Sequence, residues 1–567
     1  MSTEQNVDAI KAMDKLYEFE QEPVSKNKLQ PGRYFAGLYA GEHTAGTEFA
    51  IGALFVMWGA SAFDIFIGLL LGNLMAVLTW TFICAPIAVQ TRLTLYWYLR
   101  RIAGPMTTTI YNVLNAGMYC ILAGSMITVS ASAVRIPFGI EPQTGWFPTD
   151  PRFVLVVIAV GAVVVTLAIL GFKKLAQFSS VCAPWLMIMF AAGGLATLPY
   201  LAMNTDVGQI RSFSDFWTIA NTSIWTGVPP EGSFPMTLWH VAAFAWFCNL
   251  AMHGGLSDMA LLRYAKHYSY GAYSALGMYL GHYMAWVAAG IMGASAAMMM
   301  GALITEIDSG EIAFQSLGWA GILAVIIAGW TTSNPTIYRA GLAFQAVVPK
   351  QPRWLVTLIV GAVTTIIACS PFVFTQLLGF VALYGLILAP VGAIVLTEHW
   401  IFPKLGYQQY WAARKDLTIN WPALLSWFVP TGIALFIFFW VPYLQFFLFL
   451  PVYITTSIVY IVLAGMSGAK DENLPEYVAP APKTRPDEVV KDNEEVEHDA
   501  IWYITGAIAF VSLAVCAIWP LYVLVGGVEH FDERFAAFKY WLIVPTLVYF
   551  VFGTIWMLRR KSQKASM

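Results

Sequence analysis

Charge is what this chain has least of. Asp, Glu, Lys and Arg make up 11% of its 567 residues, against about a quarter in a soluble globular domain. So little charge cannot cover the surface of a water-soluble body of that length, which excludes a soluble enzyme. A net charge of −2 removes any general attraction to nucleic acid. Cysteine is also scarce. Cys84, Cys120, Cys182, Cys248, Cys369 and Cys516 all fall in apolar stretches without metal or redox spacing, so they read as small buried side chains. No phosphate-binding glycine loop, nucleophile elbow or His/Glu zinc spacing occurs, and the expectation is a protein that is not an enzyme. The first 33 residues lack the apolar run of a cleavable signal and read as a cytosolic tail.

What is abundant is hydrophobic sequence, at 58% of the chain with 15% aromatic residues. A bilayer-crossing helix needs about 20 mostly apolar residues. That criterion predicts fourteen spans, near 36–60, 65–90, 109–134, 153–172, 182–203, 236–257, 272–303, 312–338, 355–371, 374–397, 421–440, 442–466, 501–527 and 540–558. The class is therefore an all-α polytopic membrane protein. With the N-terminus inside, 26 of the 31 Lys and Arg fall on the inner side, Arg339 among them as a loop residue after the eighth span. This bias predicts both termini cytosolic, in a plasma or inner membrane.

Residues 467–500 are compositionally foreign, dominated by Pro, Glu and Asp, and read as a disordered cytosolic linker. The expected organisation is a cytosolic tail over 1–33, a ten-helix core over 34–400, helices 11 and 12 over 401–466, the linker over 467–500, a further helix pair over 501–558, and a cytosolic tail over 559–567.

Polar and ionisable residues at membrane depth are costly and mark function by default. The first span carries Gly41, Glu42, His43, Thr44, Ala45, Gly46, Thr47 and Glu48. That composition weakens a helix and frees backbone carbonyls, which are tolerated only where they line a cavity or hold an ion. The sixth span repeats the pattern with His240, Trp246, Asn249, His253, Gly254 and Gly255, before Asp258 at its inner end. Interrupted helices in corresponding positions point to a five-plus-five inverted repeat with a site at the midplane. The eighth span contains Trp330, Thr331, Thr332, Ser333, Asn334, Pro335, Thr336 and Tyr338. Its adjacent hydroxyls are hard oxygen donors suited to sodium, and its proline frees a carbonyl one turn back.

These stretches resemble the nucleobase–cation symporter family, the purine, cytosine, allantoin and hydantoin permeases, which share the leucine-transporter type of fold. The strongest match is AGWTTSNPTIYRAGLAF (Ala328 to Phe344), similar to the family pattern A-x-W-[ST]-T-N-P. GLLLGNLMAVL (Gly68 to Leu78) and AVQTRLTLYWYLRRIAGP (Ala88 to Pro105) support it. The resemblance covers roughly residues 34–466. It implies a sodium ion held between first-span carbonyls, at Gly41 and Ala45, and Ala328, Thr331 and Thr332. It implies a solute stacked on Trp246. The polar residues of the interrupted spans, with their neighbours on the third and eighth, are the candidate pocket around it: Glu42, His43, Thr44, Thr47, Glu48, Met118, Tyr119, Asn249, Asn334 and Tyr338.

The chain also departs from the family. The third span offers Met118 and Tyr119 where the family has a tryptophan, and Ala116 to Met126 contains no glutamine. Ser333 is an extra residue, Tyr338 falls near the family's downstream asparagine, and Glu42 and Glu48 stand where the family is mostly uncharged.

The leading expectation is a sodium-coupled secondary transporter of a small polar solute, nucleobase-like or otherwise nitrogenous, working by alternating access. It carries no cofactor beyond the coupling ion, and its partners are the solute and the bilayer. The alternatives are a proton-coupled permease for an amine, using Glu42, Glu48, His43 or His253, and a passive facilitator or membrane sensor built on a transporter fold.

Overall fold

The structure, a computed structural model, describes residues 18–143, 145–478 and 499–565. Among them, eleven helices are long and apolar enough to cross a bilayer. Three shorter apolar helices, Glu48–Trp58, Leu238–Phe247 and Arg353–Ala368, stand where the first, sixth and ninth spans were expected. The chain is an integral, multi-pass, all-α membrane protein. The shortness of the first and sixth spans has a local cause, because both are interrupted.

The first span is α1 (Gly32–Glu42) and α2 (Glu48–Leu54), separated by five non-helical residues. The second is α3 (Ala62–Thr91). It starts at a capping box in which Ser61 Oγ accepts from Asp64 N–H and the Asp64 carboxylate accepts from Ser61 N–H. The other Asp64 oxygen accepts from the Leu238 N–H at 3.0 Å, so the same residue positions the start of the sixth span. α4 (Leu95–Val134) is longer than its apolar run, because a kink at Gly104–Pro105 joins a short helix to the start of the span. α5 (Pro151–Ile169) and α6 (Phe172–Met203) complete the first five spans.

The sixth span is α7 (Leu238–Phe247) and the single turn α8 (Leu250–His253), which ends at Gly254 and Gly255. It is followed by α9 (Tyr268–Met300), α10 (Ser309–Leu317), α11 (Trp319–Val347), α12 (Arg353–Ala368) and α13 (Leu377–Lys404). Two spans, α14 (Trp421–Trp440) and α15 (Phe449–Met466), come next. The last pair, α16 (Ala500–Val525) and α17 (Phe531–Arg559), packs on α6, where Trp185 Nε1 donates to Thr546 Oγ1 at 3.1 Å and Tyr549 OH donates to the Val181 carbonyl at 2.7 Å.

The break in the first span sits close against its neighbours. A Cβ on Gly46 would lie 3.1 Å from the Val325 carbonyl and 3.3 Å from Gly329 N, and one on Gly281 would collide with the His43 carbonyl. Glycine on both sides lets the unwound backbone touch α11 and α9 directly.

Two sequence expectations are corrected here. Arg339 is not a loop residue: it lies inside α11, is 0% exposed and faces carboxylates within the bundle. The hydropathy boundary at Tyr338 cut the helix short because a paired arginine depresses the window average without ending the helix. The segment expected to be disordered begins with docked chain. Ala469 accepts from Gln408 N–H at 2.7 Å, and Arg414 donates to the carbonyls of Leu474 and Pro475. The expected linker over 479–498 lies outside the described residues.

Candidate functional site

The site begins with the way α1 ends. A helix C-terminus leaves carbonyls without donors, and here the His43 N–H bonds back to the Tyr39 carbonyl while Thr44 Oγ1 donates to the Ala40 carbonyl at 2.7 Å. The Glu42 carbonyl is met from outside the segment by Thr332 Oγ1 of α11, at 2.7 Å. The same hydroxyl lies 3.1 Å from the Ala328 carbonyl, and Thr331 Oγ1 lies 3.0 Å from it. Two carbonyls from two spans and two hydroxyls therefore converge at the break. All are hard oxygen donors, the chemistry a sodium ion requires, so the residues present fit that ion. Gly41 and Ala45 flank the same turn.

The Glu42 side chain is engaged by Arg339, whose Nη1 and Nη2 each donate to one carboxylate oxygen. Arg339 also donates through Nε and Nη2 to Asp258, in the turn that follows the sixth-span break. Asp258 accepts in addition from Tyr39 OH at 3.0 Å and Trp80 Nε1 at 2.6 Å. Glu42, Asp258 and Arg339 are at most 1% exposed. Three formal charges at membrane depth are tolerated because each is paired and hydrogen-bonded. Trp80 reaches Asp258 from a π-helical turn, Trp80–Cys84, inside α3, a local irregularity that re-aims a side chain.

Glu48 opens α2 on the other side of the break. It accepts from Trp286 Nε1, and its second oxygen lies 3.6 Å from His282 Nε2. The His282 ring stacks on Trp286 at 4.2 Å and meets His43 edge-on at 5.2 Å. His43 Nε2 and His282 Nδ1 are buried without hydrogen-bond partners. A file of titratable groups thus runs Glu48, His282, His43 and, through Tyr39 and Trp80, to Asp258.

The sixth-span break closes on itself differently. His253 Nε2 bonds the Trp246 carbonyl at 2.9 Å, bridging the interruption, and Trp246 Nε1 donates to Thr79 Oγ1 at 3.1 Å. Trp246 is half-buried with its ring edge-on to Phe449. Asn249, within the break, is buried with Nδ2 unpartnered. From α4, Tyr119 OH bonds Ser257 Oγ beside Asp258, and Met118 is half-buried next to it.

The structure thus links Gly41, Glu42, His43, Thr44, Ala45, Thr47, Glu48, Tyr119, Trp246, Ala328, Thr331 and Thr332 to the two breaks and the α11 segment between them. Asn334 lies two residues after Thr332 in α11, 1% exposed, with neither side-chain polar atom partnered. Tyr338 goes elsewhere. It accepts from Arg263 Nη2 at 3.3 Å and lies under Arg353, in a separate cluster that also holds the Phe19 carbonyl.

Sequence reasoning missed Arg339, Trp80, His282 and Trp286, and placed Asp258 only at a helix end. The signal for Arg339 was its position seven residues after Thr332, which puts both on one helical face. For His282 it was an ionisable residue in the middle of an apolar span.

Comparison with solved structures places this arrangement in a known architecture. The chain is similar to MHP1, a nucleobase-cation-symport-1 family transporter, in a closed conformation with bromovinylhydantoin bound. The TM-score is 0.58 and the identity 16%, over 80% of this chain and 99% of that one. It is similar to the inward-facing conformation of Mhp1 at a TM-score of 0.59 and 14% identity, covering 80% and 94% of the two chains. A Na+-coupled sialic acid symporter in a substrate-bound outward-open state matches with a TM-score of 0.51 and 12% identity, over 80% and 95%. No family model and no curated protein matches the sequence. The fold is that of leucine-transporter-like secondary transporters, and the neighbours are transporters rather than enzymes.

Proposed function

We propose that the protein is a secondary active transporter that couples sodium entry to uptake of a small polar solute, a nucleobase-like heterocycle or related nitrogenous compound, with both termini cytosolic. The observation that carries this reading is the Thr332 hydroxyl, which ties the freed Glu42 carbonyl to the Ala328 carbonyl across the first-span break. In place of that hydrogen bond, the two carbonyls and the Thr331 and Thr332 hydroxyls would hold sodium, with Gly41 and Ala45 supplying the remaining backbone oxygens. Binding the ion would fix α1 against α11 and so couple ion occupancy to the relative position of two helix bundles.

The solute would lie between the breaks, against Trp246, with Tyr119, Met118, Thr44, Thr47, Asn249 and Asn334 as its polar and apolar contacts. The unpartnered atoms of Asn249 and Asn334 are the kind a nitrogenous ligand satisfies, because buried amides are costly without partners. Glu42 is committed to Arg339, which leaves Glu48, His282 and His43 as the titratable groups of the file open to a solute or a proton.

The test is a thermal-shift screen of purified protein against nucleobases, hydantoins, vitamins, ureides and small amines, in sodium and in choline. The expected result is stabilisation by sodium, enhanced by one solute class, with Thr332→Val weakening sodium about tenfold, or roughly 1.4 kcal/mol. A second reading, proton coupling, is favoured by the Glu48–His282–His43 file. Uptake into proteoliposomes that follows a pH gradient and ignores sodium would establish it in place of the first.

A further inference from the structure

A crevice of about 1590 Å³ opens between α1, α6 and α9 of the core and the terminal pair α16 and α17. One end is cationic. Lys28, Arg33, Lys173 and Lys266 line it, and among the described residues no Asp or Glu does. All four side chains are exposed, and Arg33, Lys173 and Lys266 have no acidic partner among the described residues. They sit at the helix ends on one face, at the start of α1, of α6 and of α9. Gln177, which donates to Tyr34 OH at 3.4 Å, and Ser180 come next along the wall.

Deeper in, the lining turns apolar. Met187 of α6, Leu276 and Leu280 of α9, and Phe510 and Leu513 of α16 face the same space. From Lys173 to Met187 the helix rises about 20 Å, and one leaflet of hydrocarbon is about 15 Å deep. A cationic mouth, a short polar step and an apolar trough of leaflet depth match one kind of molecule.

We propose that this crevice binds an anionic phospholipid. Its phosphate would sit among Arg33, Lys173 and Lys266, its glycerol region at Gln177 and Ser180, and an acyl chain along α9 and α16. The core and the segment leading into α1 supply about two thirds of the lining residues. The terminal pair supplies the rest, which gives those two helices a role in lipid capture. The acidic stretch over 479–498 precedes α16 in the sequence and carries the right charge, but it is dominated by Pro, Glu and Asp and has too few apolar side chains to match an apolar trough. The lipid is therefore the better occupant. Basic pockets between membrane helices on the positively charged side are suited to such headgroups.

The experiment is native mass spectrometry of the delipidated full-length protein, with phosphatidylglycerol or phosphatidylcholine of identical chains added back. Wild-type protein should retain phosphatidylglycerol at least about tenfold better. R33Q/K173Q/K266Q should reduce that preference to about twofold or less while keeping the thermal response to sodium. Ala507→Trp, on an exposed position of the α16 wall, should reduce retention of phosphatidylglycerol without touching a charge. Equal retention of the two lipids by wild type would overturn the proposal, as would full preference in the neutralised variant. So would phosphatidylglycerol binding that appears only in E494Q/E495Q/E497Q, which would make the acidic stretch the resident of the crevice.

Discussion

Glu42 and Glu48 stand at the two lips of one break, six residues apart, and the bundle treats them in opposite ways. Glu42 is the last residue of α1, at the negative end of a helix dipole, where a carboxylate is disfavoured. It is tolerated because Arg339 grips both of its oxygens and Asp258 shares that arginine. Glu48 is the first residue of α2, at the positive end of a dipole, where a carboxylate is favoured. It has an indole and, at 3.6 Å, an imidazole whose other nitrogen has no partner. One carboxylate is locked into a satisfied network. The other is held loosely, at the head of a chain of histidines. The lesson is that a charge at membrane depth identifies a site only after its partners are counted.

The comparison breaks most severely at Arg339. Arg339→Met leaves Glu42 and Asp258 buried without a cation, and removing one partner of a buried pair typically costs about 3–5 kcal/mol. The expected outcome is little monodisperse protein by size exclusion and a large fall in apparent melting temperature. R339M/E42Q/D258N, which removes all three charges together, should recover much of the loss. If R339M alone melts like wild type, the three residues are not a locked unit.

Smaller losses grade the same network. Glu42→Gln keeps the Arg339–Asp258 pair and one acceptor for the arginine, so it should cost about 2 kcal/mol. Trp80→Phe deletes one of the hydrogen bonds to Asp258, at 2.6 Å, and a bond to a charged acceptor contributes about 1.5 kcal/mol or somewhat more. Thermal melts of the two variants, and of their combination, measure whether the effects add. A sum larger than the combination would show the two contacts to be coupled through Arg339.

Much of this was legible in the chain, and for physical reasons. Both interruptions left a mark, because Gly, Thr and ionisable residues in an apolar span leave backbone that cannot stay helical unaided: Gly41 to Glu48 coincides with the first, while Gly254–Gly255 marks the end of α8, one turn after the second break at Cys248 and Asn249. The pairing of α1 with α11 was legible in Thr331–Thr332 beside the resemblance to known symporters. Arg339 was not, because a buried ion pair is a long-range fact. Glu42 and Arg339 are 297 residues apart, and hydropathy scores an arginine by itself, without its partners. The docking of residues 467–478 was hidden for the same reason. A polar composition describes what a segment cannot bury, and says nothing of carbonyls that Arg414 and Gln408 can hold.

The finest test of the comparison lies at Glu48, where stability should hardly move. Glu48→Gln keeps an oxygen for Trp286 Nε1 and a side chain of the same size at the head of α2, so its melting temperature should fall by the equivalent of less than about 1 kcal/mol. His282→Asn loses no hydrogen bond at Nδ1 but gives up the ring stacked on Trp286 at 4.2 Å, so it should cost about 1 kcal/mol more. What both variants remove is a group able to accept a proton in the file toward His43. If that file carries protons, each variant should lose uptake driven by a pH gradient while keeping solute-dependent thermal stabilisation. If sodium alone drives transport, both should concentrate solute as well as wild type at every pH at which the wild type does. A large loss of folded protein in Glu48→Gln, equal to that of Glu42→Gln, would mean that the second carboxylate is locked like the first. The contrast between the two lips of the break would then disappear.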